Sequence, residues 1–347
     1  MPLSTPVSAR TASLASLGER GLVQLIRQRF PASPAILPVP IGDDAAVAVA
    51  ERGALEVLTT DALVEGIHFD RRFSSLYDVG YRALAVNVSD VAAMGGTSRL
   101  ALLSLILPIG LTVGDVEQLL DGFAAMAGQG GVQLAGGNIT RSPGPLIVDV
   151  SLLGAVRPRR ILTRSGGRPG DILFVTGSVG AAGAGLSWLR EKAAEDPAEP
   201  DDPGLAECVA RYRRPEPRAR IGALLGRTRA ASACMDLSDG LGDAVTQVAE
   251  ASGTGARIDA AALPIPGAAS RWFTARGLDP IQAAVSAGDD YELLLAVAPR
   301  RKGRLKTVVQ QARGVTITRI GELTGDRSLI LMRDGAAEPL PGGFAHF

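Results

Sequence analysis

Lysine is almost missing from this chain. Only Lys192, Lys302 and Lys306 occur among 347 residues. None stands in a G-x-x-x-x-G-K-[ST] string, so a P-loop is excluded. Histidine is as scarce, with His68 and His346 alone, which removes any case for a Ser-His-Asp triad. The two cysteines, Cys208 and Cys234, have neither metal-ligand spacing nor a framework partner. They read as buried thiols, Cys208 on a helix and Cys234 in a strand, and suit a reducing cytoplasm. Aromatic residues make up 4%, too few for base-stacking platforms, and 36 basic residues balance 36 acidic ones. A nucleic-acid partner would want a basic excess. The longest apolar stretch, Leu100 to Val113, is broken by Ser104, Pro108 and Gly110. A membrane span needs roughly 20 residues, so no membrane partner is expected. No signal peptide is visible at the start of the chain.

What is present is globular. Hydrophobic residues are 46% and charged residues 21%, and a chain of this length is comfortable for two cores. Residues 1–15, rich in Ser, Ala and Thr, read as a loose tail. Ser16 and Glu19 form a capping-box pattern ahead of a helix ending near Arg29. Ala45–Ala50 and Ala54–Thr60 read as strands, the second ending at Asp61. Leu76–Ala93 carries apolar residues at helical spacing, and Leu100–Leu107 is a buried-strand pattern. Thr112 caps a helix over Val113–Gly128. Composition shifts near Pro158, so a boundary is placed close to 157, giving domains over 16–157 and 158–347. Later come helices near Leu205–Arg213 and Ala219–Leu225, a strand ending at Met235, and strands over Tyr291–Val297, Val315–Ile320 and Leu329–Met332. The acidic, Pro-rich segment Glu191–Gly204 reads as a solvated loop. The Gly-rich run Gly177–Gly185 has the wrong offsets for a dinucleotide fingerprint. Tight strand–helix packing is its first reading, and phosphate contact through backbone N–H groups its second. Both halves mix helices and strands, so the fold class is α/β (α+β) in two domains.

Nine aspartates stand in short clusters beside these elements: Asp43, Asp44, Asp61, Asp90, Asp236, Asp239, Asp243, Asp289 and Asp290. Any one of them could be a turn or cap residue, as Asp115, Asp171 and Asp326 are expected to be. Adjacent like charges at Asp43-Asp44 are less easily explained without a cation. Thr59-Thr60-Asp61 offers hydroxyl, carbonyl and carboxylate oxygens together. Asp236, Ser238 and Asp239 offer another oxygen set at a helix start. Together these are hard oxygen donors, the set that Mg²⁺ takes, and they point to phosphate chemistry.

Eight strings then carry a resemblance. GDDAAV (from Gly42), TTDALVEGIHF (from Thr59), ALAVNVSDVAAMGG (from Ala83), LAGGNITR (from Leu134), LTRSGGRPGD (from Leu162), DLSDGL (from Asp236), SAGDDYEL (from Ser286) and the terminal GFAHF occur in one order. In that order the chain resembles the thiamine-monophosphate kinases, of the superfamily of AIR synthetase, selenophosphate synthetase and the hydrogenase maturation factor E proteins. The resemblance implies an AIR-synthetase-like, two-domain fold that dimerises through a mixed N-terminal sheet. It implies ATP-dependent phosphorylation of thiamine monophosphate with several Mg²⁺ ions. By motif match, Asp44, Thr59, Thr60, Asp61, Asp90, Asp236 and Asp239 would be metal ligands, with Asn138 at one further position. Gly137, Asn138, Arg164 and Ser238 would contact ATP. His68, Asp289 and Phe344 would line the thiamine-phosphate pocket. Asp44, Asp61, Asp90, Arg164 and Asp239 would carry the catalysis.

The chemistry fits such residues. Two phosphate-bearing substrates repel one another, and with few lysines the cations on the carboxylates must neutralise them. The acceptor phosphate is already ionised, so no strong general base is required. One departure stands out: the usual Gly-Gly-Asp of the family reads Gly136-Gly137-Asn138 here, which removes one charge from a metal position.

Overall fold

Alternating apolar runs in the first half of the chain build one sheet, and those in the second half build another. The computed structural model describes residues 11–193 and 199–344. The described chain forms two units. The first holds residues up to Val88 and Ser98–Ala155, and the second holds Ser89–Thr97 and everything from Val156 onward. The expected tail falls largely on residues 1–10, outside the described ones, as does the centre of the expected 191–204 loop.

In the first unit, a helical segment Leu14–Arg29 (α1) is capped by Ser13, whose side chain accepts from the Ser16 N–H. The segment therefore begins ahead of the expected Ser16 cap, and Gly18 (φ +68°) puts a kink inside it. Four strands follow: β1 (Leu55–Val64), β2 (Thr97–Pro108), β3 (Gln133–Ser142) and β4 (Ile147–Val156). Their order across the sheet is β1-β4-β2-β3, with β2 and β3 parallel. Asp61 lies inside β1 and not at its end. Ala45–Ala50 forms no strand; Val47 pairs only with Val39 in an isolated bridge, and Val47 and Val49 remain half exposed.

Two helices, α2 (Leu76–Ala93, its last residues counted with the second unit) and α3 (Val113–Gly130), accompany this sheet. Leu103, Leu105, Leu107, Val148, Val150 and Leu152 are all buried at every second position, as a half-buried strand demands. The two helices cross closely. A Cβ on Gly80 would overlap the Leu119 carbonyl, and one on Gly122 would overlap that of Tyr77. Thr112 and Asp115 form the full capping box of α3, so Asp115 has the capping role expected of it.

The second unit carries a seven-stranded sheet, ordered β11-β10-β7-β9-β5-β8-β6. In chain order these are β5 (Ile172–Thr176), β6 (Ala233–Asp236), β7 (Gly255–Asp259), β8 (Leu293–Val297), β9 (Ile317–Thr324), β10 (Leu329–Arg333) and β11 (Ala336–Pro339). Its helices are α4 (Ala181–Lys192), α5 (Pro203–Arg213), α6 (Ala219–Thr228), α7 (Leu241–Ser252), α8 (Gly267–Thr274), α9 (Pro280–Ser286) and α10 (Lys302–Gln311). Leu293, Leu295, Val297 and Cys234 share a core with Ile221, Leu224 and Leu225 of α6 and Leu305 and Val308 of α10. Cys208 and Cys234 are both buried; burial pushes the Cys208 thiol up to about 11 and raises that of Cys234 further. Neither is poised to react. Among the described residues, no helix is long and apolar enough to cross a membrane.

Candidate active site

In the second unit the acidic motifs gather at one end of β6 and β8. Asp236 ends β6 and is buried. Its Oδ2 accepts from the Ser89 hydroxyl at 2.7 Å. Ser89 begins the last turn of α2, so this bond sets Asp90, the next residue, beside the β6 terminus. The loop after Asp236 is zipped to the segment before β8: Leu237 N donates to Glu292 O (2.8 Å), Tyr291 N to Leu237 O (2.9 Å) and Asp289 N to Ser238 O (2.7 Å). Asp289 (φ +71°) and Tyr291 (φ +49°) both sit in the left-handed region. Two such non-glycine residues, two positions apart, are costly, and strain of this kind collects where chemistry is done. Asp239 receives the Phe344 N–H on its carbonyl at 2.9 Å, which lays the C-terminal segment over the start of α7. The structure thus brings Asp90, Asp236, Ser238, Asp239, Asp289 and Phe344 into one neighbourhood.

Arg164 lies along the outer edge of the same sheet. β6 is an edge strand, and Cys234 N donates to Thr163 O at 2.9 Å. The Arg164 guanidinium reaches Gln247 Oε1 at 2.5 Å, and Gln247 Nε2 donates to Asp243 at 2.6 Å. Asp243 is therefore a partner on the surface of α7, which orients the residue that holds Arg164.

The first unit holds the remaining motif residues. Asp43 and Asp44 are exposed, and Asp43 Oδ1 accepts the Asp44 N–H at 2.9 Å. The Arg27 guanidinium packs against the neighbouring Gly42, so a cation does lie close to this pair. Thr59 and Asp61 alternate with Thr60 along β1. The odd positions are half-buried and the even ones exposed, so Thr60 faces away from the other two. The Thr60 hydroxyl meets Asp149 Oδ1 (3.2 Å), Val150 O (3.2 Å) and Ser151 Oγ (3.1 Å) of β4. His68 Nδ1 accepts the Val64 N–H at 3.1 Å, which fixes a neutral imidazole with its proton on Nε2.

Asn138 lies on β3, opposite Ser104 of β2. β1 and β3 are the two outer strands, three inter-strand steps apart, or roughly 14 Å. Asn138 also shares the open face with Ser104, while Asp61 shares the face of buried Leu63. Within one chain these two cannot ligate a single ion. Gly137 has a packing reason of its own: a Cβ there would overlap the Leu103 carbonyl.

Among the described residues, no three His, Cys, Asp or Glu side chains converge into a metal cage. The donors present are nonetheless hard oxygens, and Mg²⁺ commonly takes one or two carboxylates and completes its shell with water and phosphate oxygens. The residues fit that ion in that mode.

Sequence reasoning missed the supports behind the site. Asp290 is buried and accepts from Gly180 N (2.6 Å) and Ala182 N (3.0 Å) at the start of α4. Two of the run's backbone donors are therefore taken by a carboxylate of the protein, and Gly177 N and Val179 N go to the Thr316 and Pro264 carbonyls, so its helix start does not offer these donors to a phosphate. Burial pushes the Asp290 carboxyl up to about 7; the two N–H bonds pull it down in part, and the Glu292 and Asp289 charges add to the rise. Glu292 is buried with Arg218 in a two-pronged ion pair and takes the Thr176 hydroxyl at 2.6 Å. Arg218 has no sequence pattern that could reveal it. Ser89 and Glu292 lie inside motif strings already marked.

Families of known proteins agree with this arrangement. The AIR synthase related protein N-terminal domain matches residues 42–156, and the corresponding C-terminal domain matches 168–334. The thiamine-monophosphate kinase of Escherichia coli K12 is 36% identical over 335 residues, covering 95% of this chain and 98% of its own. The crystal structure of thiamine-monophosphate kinase from Stenotrophomonas maltophilia superposes with a TM-score of 0.80 at 32% identity, over 91% of this chain and 96% of its own. AaThiL complexed with AMPPCP and TMP gives a TM-score of 0.74 at 32% identity, over 96% and 98%. The chain belongs to the AIR synthase related family and, within it, to the thiamine-monophosphate kinases.

Proposed function

We propose that this chain transfers the γ-phosphoryl group of ATP to the phosphate of thiamine monophosphate, forming ADP and thiamine diphosphate. The observation that carries the reading is the cluster at the ends of β6 and β8. It sets carboxylates, a strained acidic turn, a tethered arginine and an aromatic side chain around one helix start. Asp90, Asp236 and Asp239 in the second unit, and Asp44, Thr59, Thr60, Asp61 and Asn138 in the first, are assigned to several Mg²⁺ ions. When bound, these ions offset the charge of the two substrates and of the transferring group. Ser238, Arg164, Gly137 and Asn138 are assigned to ATP. Arg164 clamps phosphate oxygens through its planar fork. His68, as a neutral donor through Nε2, Asp289 and Phe344 are assigned to the thiamine phosphate. The acceptor oxygen is already ionised, so the protein's task is to align it and hold it close.

A homodimer through the first unit belongs to the same reading. Leu58 is 72% and Leu102 41% exposed on the open sheet face, and apolar patches of this kind mark interfaces. The separation of Asp61 from Asn138 adds support, because a second copy could complete what one sheet holds apart. A cytoplasmic location fits ATP as co-substrate and the two buried free thiols.

The test is purified protein with ATP, Mg²⁺ and thiamine monophosphate, assayed for thiamine diphosphate, with free thiamine run in parallel. Formation of thiamine diphosphate from the monophosphate is expected. Phosphorylation of thiamine but not its monophosphate would refute the reading. ATP binding without product would select a nucleotide-binding protein without turnover, a role that the loss of a carboxylate at Asn138 would favour.

A further inference from the structure

The phosphate-transfer reading leaves the basic segment Arg157–Arg160 unused. Arg160 lines a cavity of about 260 Å³ in the second unit together with Arg220, Arg227, Ala223, Leu224 and Gln311. Arg220, Ala223, Leu224 and Arg227 recur along α6 at spacings that place them on one face. Gln311, the last residue of α10, holds two of the guanidinia: Arg220 Nε donates to its carbonyl at 3.0 Å and Arg227 Nη2 to its Oε1 at 3.0 Å. Arg160 is fixed through its backbone. A Cβ on Gly95 or Gly226 would come within 2.7 or 2.6 Å of the Arg160 carbonyl oxygen, so both glycines let the chain seat there. The Arg160 N–H also donates to Arg157 O at 2.8 Å.

Among the described residues, no carboxylate lines this cavity. Several arginines elsewhere in the unit are matched with acids, as Arg218 with Glu292, Arg276 with Glu191 and Arg333 with Asp279, whereas Arg160, Arg220 and Arg227 are solvent-exposed around this cavity. Three guanidinium groups around one small space add up to a local positive potential that favours an anion. Each carries five N–H donors in a planar fork suited to phosphate oxygens. We propose that this cavity is a second, metal-independent binding site for a small diphosphate-type anion. Its volume lies below the usual range for drug-sized ligands, so it would seat the anionic group and not a whole nucleotide.

The test is calorimetric titration of inorganic pyrophosphate into the full chain in EDTA, which removes divalent cations from the carboxylate site. Expected is one site whose affinity falls with added salt, drops about tenfold or more in Arg160→Ser, and stays within twofold in Arg164→Ala. Arg160 is exposed and should be replaceable without loss of fold, which a melting curve would check. Arg227→Gln should weaken binding in the same way, and if it fails to fold, Arg160→Ser alone decides. The proposal is overturned if the wild type binds no pyrophosphate in EDTA, if Arg160→Ser binds it unchanged, if Arg164→Ala abolishes binding, or if citrate binds as tightly.

Discussion

The Ser89 hydroxyl donates to Oδ2 of Asp236 at 2.7 Å, both groups buried. This one bond ties the last turn of α2 to the end of β6, and so fixes Asp90 relative to Asp236. A hydrogen bond to a buried carboxylate is worth about 1.5–3 kcal/mol, and losing its donor leaves the acceptor less well satisfied. Ser89→Ala should lower unfolding stability by that order in urea. It should also raise the Mg²⁺ concentration at half-maximal rate, since the carboxylate assigned to the ion loses its orienting partner. An unchanged Mg²⁺ dependence alongside lowered stability would show that Ser89 supports the fold alone.

Asn138, at the position where the family resemblance leads one to expect aspartate, lies on the outer strand β3 and is exposed. Restoring the carboxylate in Asn138→Asp adds a charge without changing shape. The Mg²⁺ concentration needed for half-maximal rate should fall several-fold. Stability should change by less than about 0.5 kcal/mol, as for other exposed substitutions. An unaltered Mg²⁺ titration would remove Asn138 from the metal assignment.

The aspartates show how much the sequence could tell. Their clusters beside apolar runs were visible, and their order disclosed a family. Thr112 with Asp115 was legible because a capping box is a local pattern. The same holds for Cys208 on a helix and Cys234 in a strand. What stayed hidden is non-local. Nothing near Gly177 reveals that a carboxylate more than a hundred positions later fills its helix start, so the run could be read as a phosphate loop. β7 (Gly255–Asp259) offers only Ala256 and Ile258 to a period-2 pattern, too little signal to predict a strand. Ala45–Ala50 alternates well enough to suggest one, yet only Val47 finds a partner, in an isolated bridge to Val39. Alternation reports a capacity to pair, and pairing needs a neighbour that the local sequence does not name. Arg218 is likewise one arginine among many until the fold sets it against Glu292.

Arg218 and Glu292 are 6% and 2% exposed, and Thr176 bonds the same carboxylate. Removing one partner of a buried ion pair typically costs about 3–5 kcal/mol, because the other charge is left poorly compensated, here with Arg211 at 4.0 Å from Glu292 as its remaining cation. Arg218→Met should therefore be severely destabilised. The double variant Arg218→Met with Glu292→Leu should recover a substantial part of the loss, since an apolar pair of similar volume carries no stranded charge. Chemical denaturation of the three proteins measures both. A double variant no better than the single one would contradict this account.

Asp290 links pH to stability. Its folded-state carboxyl is raised by burial from an ordinary 3.8 to about 7. A raised pKa means that the folded state prefers the proton, so the stabilising contribution is complete below pH 3.8 and is lost as pH rises through about 7. Between pH 5.5 and 8 the wild type should lose on the order of 2 kcal/mol from this group. Asp290→Asn cannot titrate. It keeps one acceptor for the α4 start while its amide NH₂ faces the second N–H, so its stability should be lower overall but flatter with pH. The measurement is urea unfolding of both proteins at pH 5.5, 7 and 8, and the quantity of interest is the change in their difference. Parallel curves would mean that the α4 start holds a charged carboxylate at every pH tested, with the two backbone N–H bonds outweighing the cost of burial.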